Sequence, residues 1–272
     1  AGAGAPDLKI NWNPIPESFA ALRLAKKQLA VRNAAALTTG LARSRGHDLI
    51  SRPTFLAMSG PTLLRVLAVR PDPDPDDFAE LVLLVKRAEA RVVVEDSFGT
   101  IDGTALGLTS RYLPVMIRPP DPVPPPSLEI RPVRTAEEWA VAEQVVVDGF
   151  PMPGFATGNA LPVALGHREG FRMHTAWRDG VVAGACLTVV GDDAAGVYWV
   201  TTLPEHRSRG VGRALMHAVI TEFPVPMTLT AAKAGLPLYE SLGSSMEVNL
   251  AEGLPPIGLL VTSRISLCPG SR

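Results

Sequence analysis

The residues best suited to chemistry fall in one stretch, His206-Arg207-Ser208-Arg209-Gly210-Val211-Gly212-Arg213-Ala214-Leu215. A strand is expected over 196–202 and a helix over 209–223, so the two glycines lie where a strand turns into a helix. The first turn of a helix carries N–H groups without intrahelical acceptors and the positive end of the macrodipole. Glycine allows left-handed dihedrals and close backbone approach. Arg207, Arg209 and Arg213 add positive charge. The chemistry on offer is anion binding, and we read the stretch as a seat for a pyrophosphate-bearing cofactor.

Two phosphate sites are excluded by the residues present. No Gly-Lys-Ser/Thr follows Gly212, so the turn is not a nucleotide P-loop. The dinucleotide fingerprint needs a third glycine and an acidic residue about 20 positions on. Composition narrows the class further. Lys+Arg 26 against Asp+Glu 27 gives a net charge of -1, which argues against nucleic acid as a partner. Two cysteines, Cys186 and Cys268, cannot build a disulfide framework or a Cys-rich zinc site, and no metal is expected. No apolar run is long enough to span a membrane and no signal peptide is visible, so the expectation is a cytoplasmic chain without membrane partners.

The elements that position the turn follow from periodicity and punctuation. Residues 1–16 read as an irregular lead-in, and 17–45 as one long helix or two shorter ones. Strands are expected at 52–58, 63–69, 91–95 and 113–117, with helices at 78–90 and 103–109. The run Pro119-Pro120-Asp121-Pro122-Val123-Pro124-Pro125-Pro126 can neither pair in a sheet nor continue a helix. It sets a linker over 119–127 between a first half, 17–118, and a second, 128–266, with a tail at 267–272. In the second half a strand at 128–133 precedes a helix at 136–148, where Thr135 and Glu138 make a capping-box pattern. A loop over 150–158 and a short helix at 161–167 come next. Strands at 171–178 and 181–190 are joined by Asp179-Gly180, a hairpin signal. A strand at 225–230, a helix at 236–242 and strands at 246–250 and 257–265 close the chain.

Arg207-x-x-Gly210-x-Gly212, preceded by Thr202-Leu203-Pro204, resembles the cofactor signature of the GNAT superfamily of N-acetyltransferases. Leu238-Tyr239-Glu240-Ser241-Leu242-Gly243 looks like that family's second signature, and the spacing between the two also fits. The likeness covers 128–266. It departs at Ser244, where an aromatic is usual, and at Ala232, where many members carry a cofactor-contacting asparagine. The resemblance implies an α/β (α+β) fold with a mixed, mostly antiparallel central sheet flanked by helices. It implies acetyl-coenzyme A as cofactor. Val200, Thr201 and Thr202 would offer main-chain hydrogen bonds to the pantetheine arm. Arg207, Ser208, Arg209, Gly210, Val211, Gly212 and Arg213 would enclose the pyrophosphate. Tyr239 would be the catalytic residue, a general acid to the departing thiolate, with packing at the end of the pocket as its alternative role.

No general base is assigned: Asp148, His167, His174, Asp192, Asp193, Glu205 or a water chain are the alternatives. Cys186 lies mid-strand and is expected to be buried and inert. The acceptor, a small-molecule or peptide amine, should meet the 150–158 loop, the helix after it and the 171–190 hairpin, with Phe150, Met152, Phe155, Trp177 and Trp199 as candidate lining. The first half shows an element order resembling a shortened copy of the second. Its turn, Val69-Arg70-Pro71-Asp72-Pro73-Asp74, has acids and prolines where a pyrophosphate would need N–H donors. The expectation is therefore a tandem chain with a smaller, degenerate GNAT-like first domain, an unrelated α+β cap being the alternative. A homodimer is compatible with this reading. The rival to a transferase is a non-catalytic acyl-coenzyme A sensor on the same fold; a different acyl donor is a further alternative.

Overall fold

The structure is a computed structural model describing residues 19–72, 74–243 and 258–264, with 258–264 as backbone. The expected strand at 246–250 lies outside the described residues. The first half runs α1 (Phe19–Arg45), β1 (Asp48–Ser51), β2 (Phe55–Ser59), β3 (Leu63–Ala68), α2 (Pro75–Arg87), β4 (Arg91–Asp96) and β5 (Thr109–Arg118). The second runs β6 (Glu129–Pro132), α3 (Ala136–Gly149), α4 (Val163–Gly166), β7 (Phe171–Arg178), β8 (Val181–Val190) and β9 (Ala195–Thr202), then α5 (Val211–Glu222), β10 (Met227–Thr230), α6 (Leu236–Ser241) and β11 (Gly258–Arg264).

The strands form one sheet in the order β1-β2-β3-β4-β11-β5-β10-β9-β8-β7-β6. Neighbours are antiparallel except β3–β4 and β9–β10, which are parallel. The mixed, mostly antiparallel sheet flanked by helices is the expected fold class. In both halves a strand, a turn, a helix and a parallel strand follow one another: β3-α2-β4 and β9-α5-β10. The halves exchange their last strands. β5 leaves β4 and pairs with β10, from Val115↔Thr230 to Arg118↔Met227. β11 fills the vacated place, antiparallel to both β4 and β5. The sheet therefore crosses the proline linker without a break.

Local chemistry explains the element ends. Thr135 accepts from the Glu138 N–H and the Glu138 carboxylate accepts from the Thr135 N–H, closing the capping box at α3. Asp179 and Gly180 both have positive φ, as the two-residue hairpin between β7 and β8 requires. Helix α2 starts three residues before the expected position. Asp74 caps it by accepting from the Asp76 and Asp77 N–H groups, and Pro75 supplies the first-turn residue that needs no donor. The helix expected at 103–109 is a set of turns: the Leu106 and Leu108 N–H groups both reach the Gly103 carbonyl, and Gly107 is left-handed. Strand β1 was not expected.

Helix α1 belongs to the first half by sequence yet packs on both. Its buried Leu37, Leu41 and Ala42 share one core with Met58 and Leu63 of the first half and with Trp139, Val146, Leu165, Phe171 and Leu187 of the second. Truncating a fully buried leucine in such a core to alanine costs about 2–5 kcal/mol. A second core lies on the opposite face, where Val211, Leu215 and Val219 of α5 meet Ala183, Cys186, Val197 and Leu229, with Tyr239 and Leu242 at its edge.

Candidate active site

The site forms where β9 parts from β10. The two strands pair only at Ala195↔Met227 and Gly196↔Thr228. Beyond that, β9 runs on to Thr202 with no β10 partner, so the main-chain edge of 197–202 faces a widening gap. A bulge on the other edge of β9 sharpens the divergence. Ala185 pairs with Thr201 but Leu187 pairs with Tyr198, so Cys186 alone faces both Trp199 and Val200. Trp199 takes φ 49 there, and the Thr201 hydroxyl donates to its carbonyl at 2.8 Å. Sequence gave no sign of this bulge, because nothing in Tyr198-Trp199-Val200 favours a left-handed residue.

The glycine turn follows. A short 3₁₀ turn, Pro204–His206, leads to Ser208 at φ 59 and to Gly210 at φ 79. Gly210 takes the N-cap place of α5, and the cap has no side-chain hydrogen bond. The helix thus begins at Val211, two residues later than periodicity suggested. Among the described residues, the N–H groups of Ser208, Arg209, Gly210, Val211, Gly212 and Arg213 have no backbone or side-chain acceptor. Orphaned donors clustered at a helix start are an anion seat.

Gly212 ties the three parts together. A methyl built on it would meet Leu238 at 3.2 Å and both Val200 and Thr202 at 4.0 Å. The glycine turn, the open edge of β9 and helix α6 therefore converge on one point. Gly184 serves the same end from below: a methyl there would clash with Val211 and with the Thr201 carbonyl, so its absence lets α5 sit down on β8. Of the arginines, Arg213 donates to the Ser241 hydroxyl of α6 at 2.9 Å, while Arg207 and Arg209 are exposed.

Tyr239 follows Leu238 on α6 and is only 9% exposed. Its ring lies against Gly235, where a methyl would stand 2.7 Å from Cε2. Burial, with Cys186 as a smaller cause, pushes the phenol up to about 12. Cys186 is fully buried and its thiol is likewise pushed up to about 12 by burial. It is a core residue without nucleophilic character. Arg118, at the end of β5, anchors α6 from beneath by donating to the carbonyls of Leu242, Pro119 and Asp121. Its buried side chain is one that sequence reasoning missed.

The candidate bases have other occupations. His174 is buried under α5 with Nε2 2.6 Å from Glu222. Asp193 holds Arg32 at 2.6 Å, and Asp148 accepts from Gln144. His167 lines a separate cleft with Val133, Trp139 and Phe171. Asp192 and Glu205 are exposed turn residues. On the far side of the gap from α5, the 150–158 loop begins beside β9, since a methyl on Gly149 would touch Thr201. Met152, Phe155 and Trp199 pack against the same core there. Phe150 is exposed, and Trp177 lies at the outer edge under Arg131.

Comparison with known proteins agrees with this geometry. Residues 169–243, from β7 to the end of α6, match the family model described as an acetyltransferase (GNAT) domain. A search of curated proteins finds no match. A GCN5-related N-acetyltransferase from Kribbella flavida superposes with a TM-score of 0.60 at 19% identity, covering 89% of this chain and 96% of its own. A GNAT-family structure from Novosphingobium aromaticivorans gives 0.55 at 16% identity, covering 86% and 95%. A GCN5-related N-acetyltransferase-like protein from Streptococcus suis gives 0.51 at 12%, covering 89% and 100%. These likenesses extend over both halves and concern the fold. Residues 169–243 are thus similar to an acetyltransferase (GNAT) domain, carried on a fold that the chain shares with GNAT-family structures over both halves.

Proposed function

We propose that the protein is an acetyl-coenzyme A-dependent N-acetyltransferase acting directly on an amine of a small molecule or peptide. The observation that carries this reading is the convergence, at Gly212, of unpaired N–H donors, an unpaired strand edge and the Tyr239 helix. The fit to the donor substrate rests on those donors and on the glycine positions, which side chains would fill. Ser208, Arg209, Gly210, Val211, Gly212 and Arg213 would hold its pyrophosphate, with Arg207 nearby. The main chain of Val200, Thr201 and Thr202 would hold its pantetheine arm. Acetyl-coenzyme A supplies an activated acetyl thioester.

Tyr239 keeps its proton throughout the neutral range, because burial holds it near 12. Handing that proton fully to a thiolate of ordinary pKa, about 8.5, would be roughly 5 kcal/mol uphill. Its main work is therefore hydrogen-bond donation to the sulfur as negative charge develops there. No carboxylate or free imidazole among the described residues stands on the β9 edge. The acceptor amine would lose its proton to a chain of water held by main-chain carbonyls of 197–202. That missing base is also what favours the second reading, a non-catalytic acyl-coenzyme A sensor.

The first half is best understood as a degenerate copy. It repeats the strand–turn–helix–parallel strand order, but Asp74 caps its helix and Asp77 is spent on the Thr54 N–H and hydroxyl at 2.9 and 2.6 Å. A pyrophosphate would meet carboxylates there. Steady-state turnover of acetyl-coenzyme A over a broad amine panel tests the proposal. Acetylation of any amine, abolished by Gly210→Glu, supports it; tight coenzyme A binding with no turnover on the panel leaves the sensor.

A further inference from the structure

Arg45 closes α1, and its guanidinium reaches from the first half to the loop that follows α3. Its Nε donates to the Ala160 carbonyl at 3.0 Å, and Nη2 donates to the same oxygen. The guanidinium carbon lies 4.1 Å over the Phe155 ring. Nη1 has no hydrogen-bond partner among the described residues. Two other arginines have carboxylates of their own. Arg65 is paired with Glu95 at 2.8 Å, both side chains being mostly buried, and Arg32 is paired with Asp193. Glu143, whose field reaches Arg45, already accepts from the Gly158 and Leu161 N–H groups at 2.9 and 2.8 Å. Arg45 is thus a half-buried cation held by a carbonyl and a ring face, with no carboxylate of its own.

Its place in the fold gives this meaning. The 150–158 loop starts beside Thr201 at the open edge of β9 and is pressed at Gly154 against Thr62 of the first half. Phe155 and Trp199 pack on one core along this wall. The guanidinium, stacked on Phe155, thus belongs to the wall that also carries Trp199 of β9. A carboxylate reaching Nη1 would make a charge-assisted bond that the protein itself does not supply.

We propose that Arg45 is a specificity-determining residue of the acceptor site, pairing with a carboxylate on an amine acceptor whose apolar body lies against Phe155. This rests on the acetyl-transfer reading above. The competing role is structural, fastening the loop through Ala160. Matched acceptors separate the two: phenylalanine against phenylalaninamide, and 6-aminohexanoate against hexylamine, each assayed with acetyl-coenzyme A on the full chain. The wild-type protein should favour the carboxylate member of at least one pair by roughly 10- to 100-fold in kcat/KM, the worth of one hydrogen bond to a charged group. Arg45→Gln should remove that preference through KM, leaving kcat and coenzyme A affinity unchanged, and Arg45→Lys should keep part of it. A fall of equal size for both members of each pair would show a fastening role only and overturn the inference. So would a wild-type preference for hexylamine over 6-aminohexanoate, whose amines are of similar basicity; this comparison needs no variant to fold. Coenzyme A binding with no turnover of any amine would instead remove the transferase reading, and this inference with it.

Discussion

Replacing Tyr239 by phenylalanine isolates one hydroxyl. The ring and its contact with Gly235 are kept, and the site beside Cys186 stays filled. Folding stability should change by less than about 1 kcal/mol, since the hydroxyl has no protein partner among the described residues. The catalytic loss can be sized. In the proposed mechanism the hydroxyl donates to a sulfur that becomes negative, and the tyrosine is only 9% exposed. Donors aimed at developing charge in such surroundings are worth about 2.7–4 kcal/mol. Turnover should therefore fall by roughly 10²–10³-fold. The thiol released with acetyl-coenzyme A and a reactive amine gives the rate, and calorimetry with coenzyme A gives the affinity. The expectation is a fall in kcat with affinity within about 3-fold of wild type. A wild-type kcat would remove Tyr239 from the chemistry. An equal loss of affinity and rate would make it a packing residue.

Four further outcomes follow from the same geometry. Gly210→Glu places a carboxylate against the proposed pyrophosphate seat and forces a left-handed residue, so coenzyme A affinity should drop by roughly 100-fold or more; Gly210→Ala, whose methyl would meet only the Ser127 hydroxyl at 4.0 Å, should cost about 1–2 kcal/mol of stability and far less affinity. Cys186 and Tyr239 both have pKa values raised above their ordinary 9.0 and 10.0, so the folded state holds protons that the unfolded state releases. Stability should be full below pH 9 and fall as pH rises toward 12, with a slope of up to about 1.4 kcal/mol per pH unit for each group; denaturant titrations of Cys186→Ala should lack the part that begins near pH 9. Arg118→Ala strips three carbonyls of their donor and should lower stability by roughly 2–4 kcal/mol, a melting shift of about 4–7 °C for a chain of this size. Proteolytic nicking within 119–127 should leave both fragments bound in size-exclusion chromatography, because β5 pairs with β10 and β11 with β4.

Much of the second half was legible because its signals are local. The hairpin at Asp179-Gly180, the capping box at Thr135 and the prolines around the linker each act within a few residues, and the structure follows them. The strand-to-helix position of the glycine turn came from such signals too, while the fold class came from the resemblance carried by Arg207-x-x-Gly210-x-Gly212 and Leu238–Gly243. What could not be read is non-local. The exchange of β5 and β11 joins residues more than a hundred positions apart, and no pattern in Thr109–Arg118 says which half it will join. Helix α1 hid its role for a related reason. It is buried on several sides, with Asn33 donating to the Val189 carbonyl and accepting from the Tyr198 hydroxyl, so its apolar residues mark no single face. Helix 103–109 failed because Gly103 and Gly107 favour turns over a run of helical hydrogen bonds.

Calorimetric titration of coenzyme A into the full chain tests the central claim most directly. Donors at Ser208, Arg209, Gly210, Val211, Gly212 and Arg213 form one open seat, while the matching helix of the first half is capped by Asp74. The prediction is saturable binding at one site per chain. Absence of binding would contradict the pyrophosphate seat, and two equivalent sites would contradict the closure of the first half.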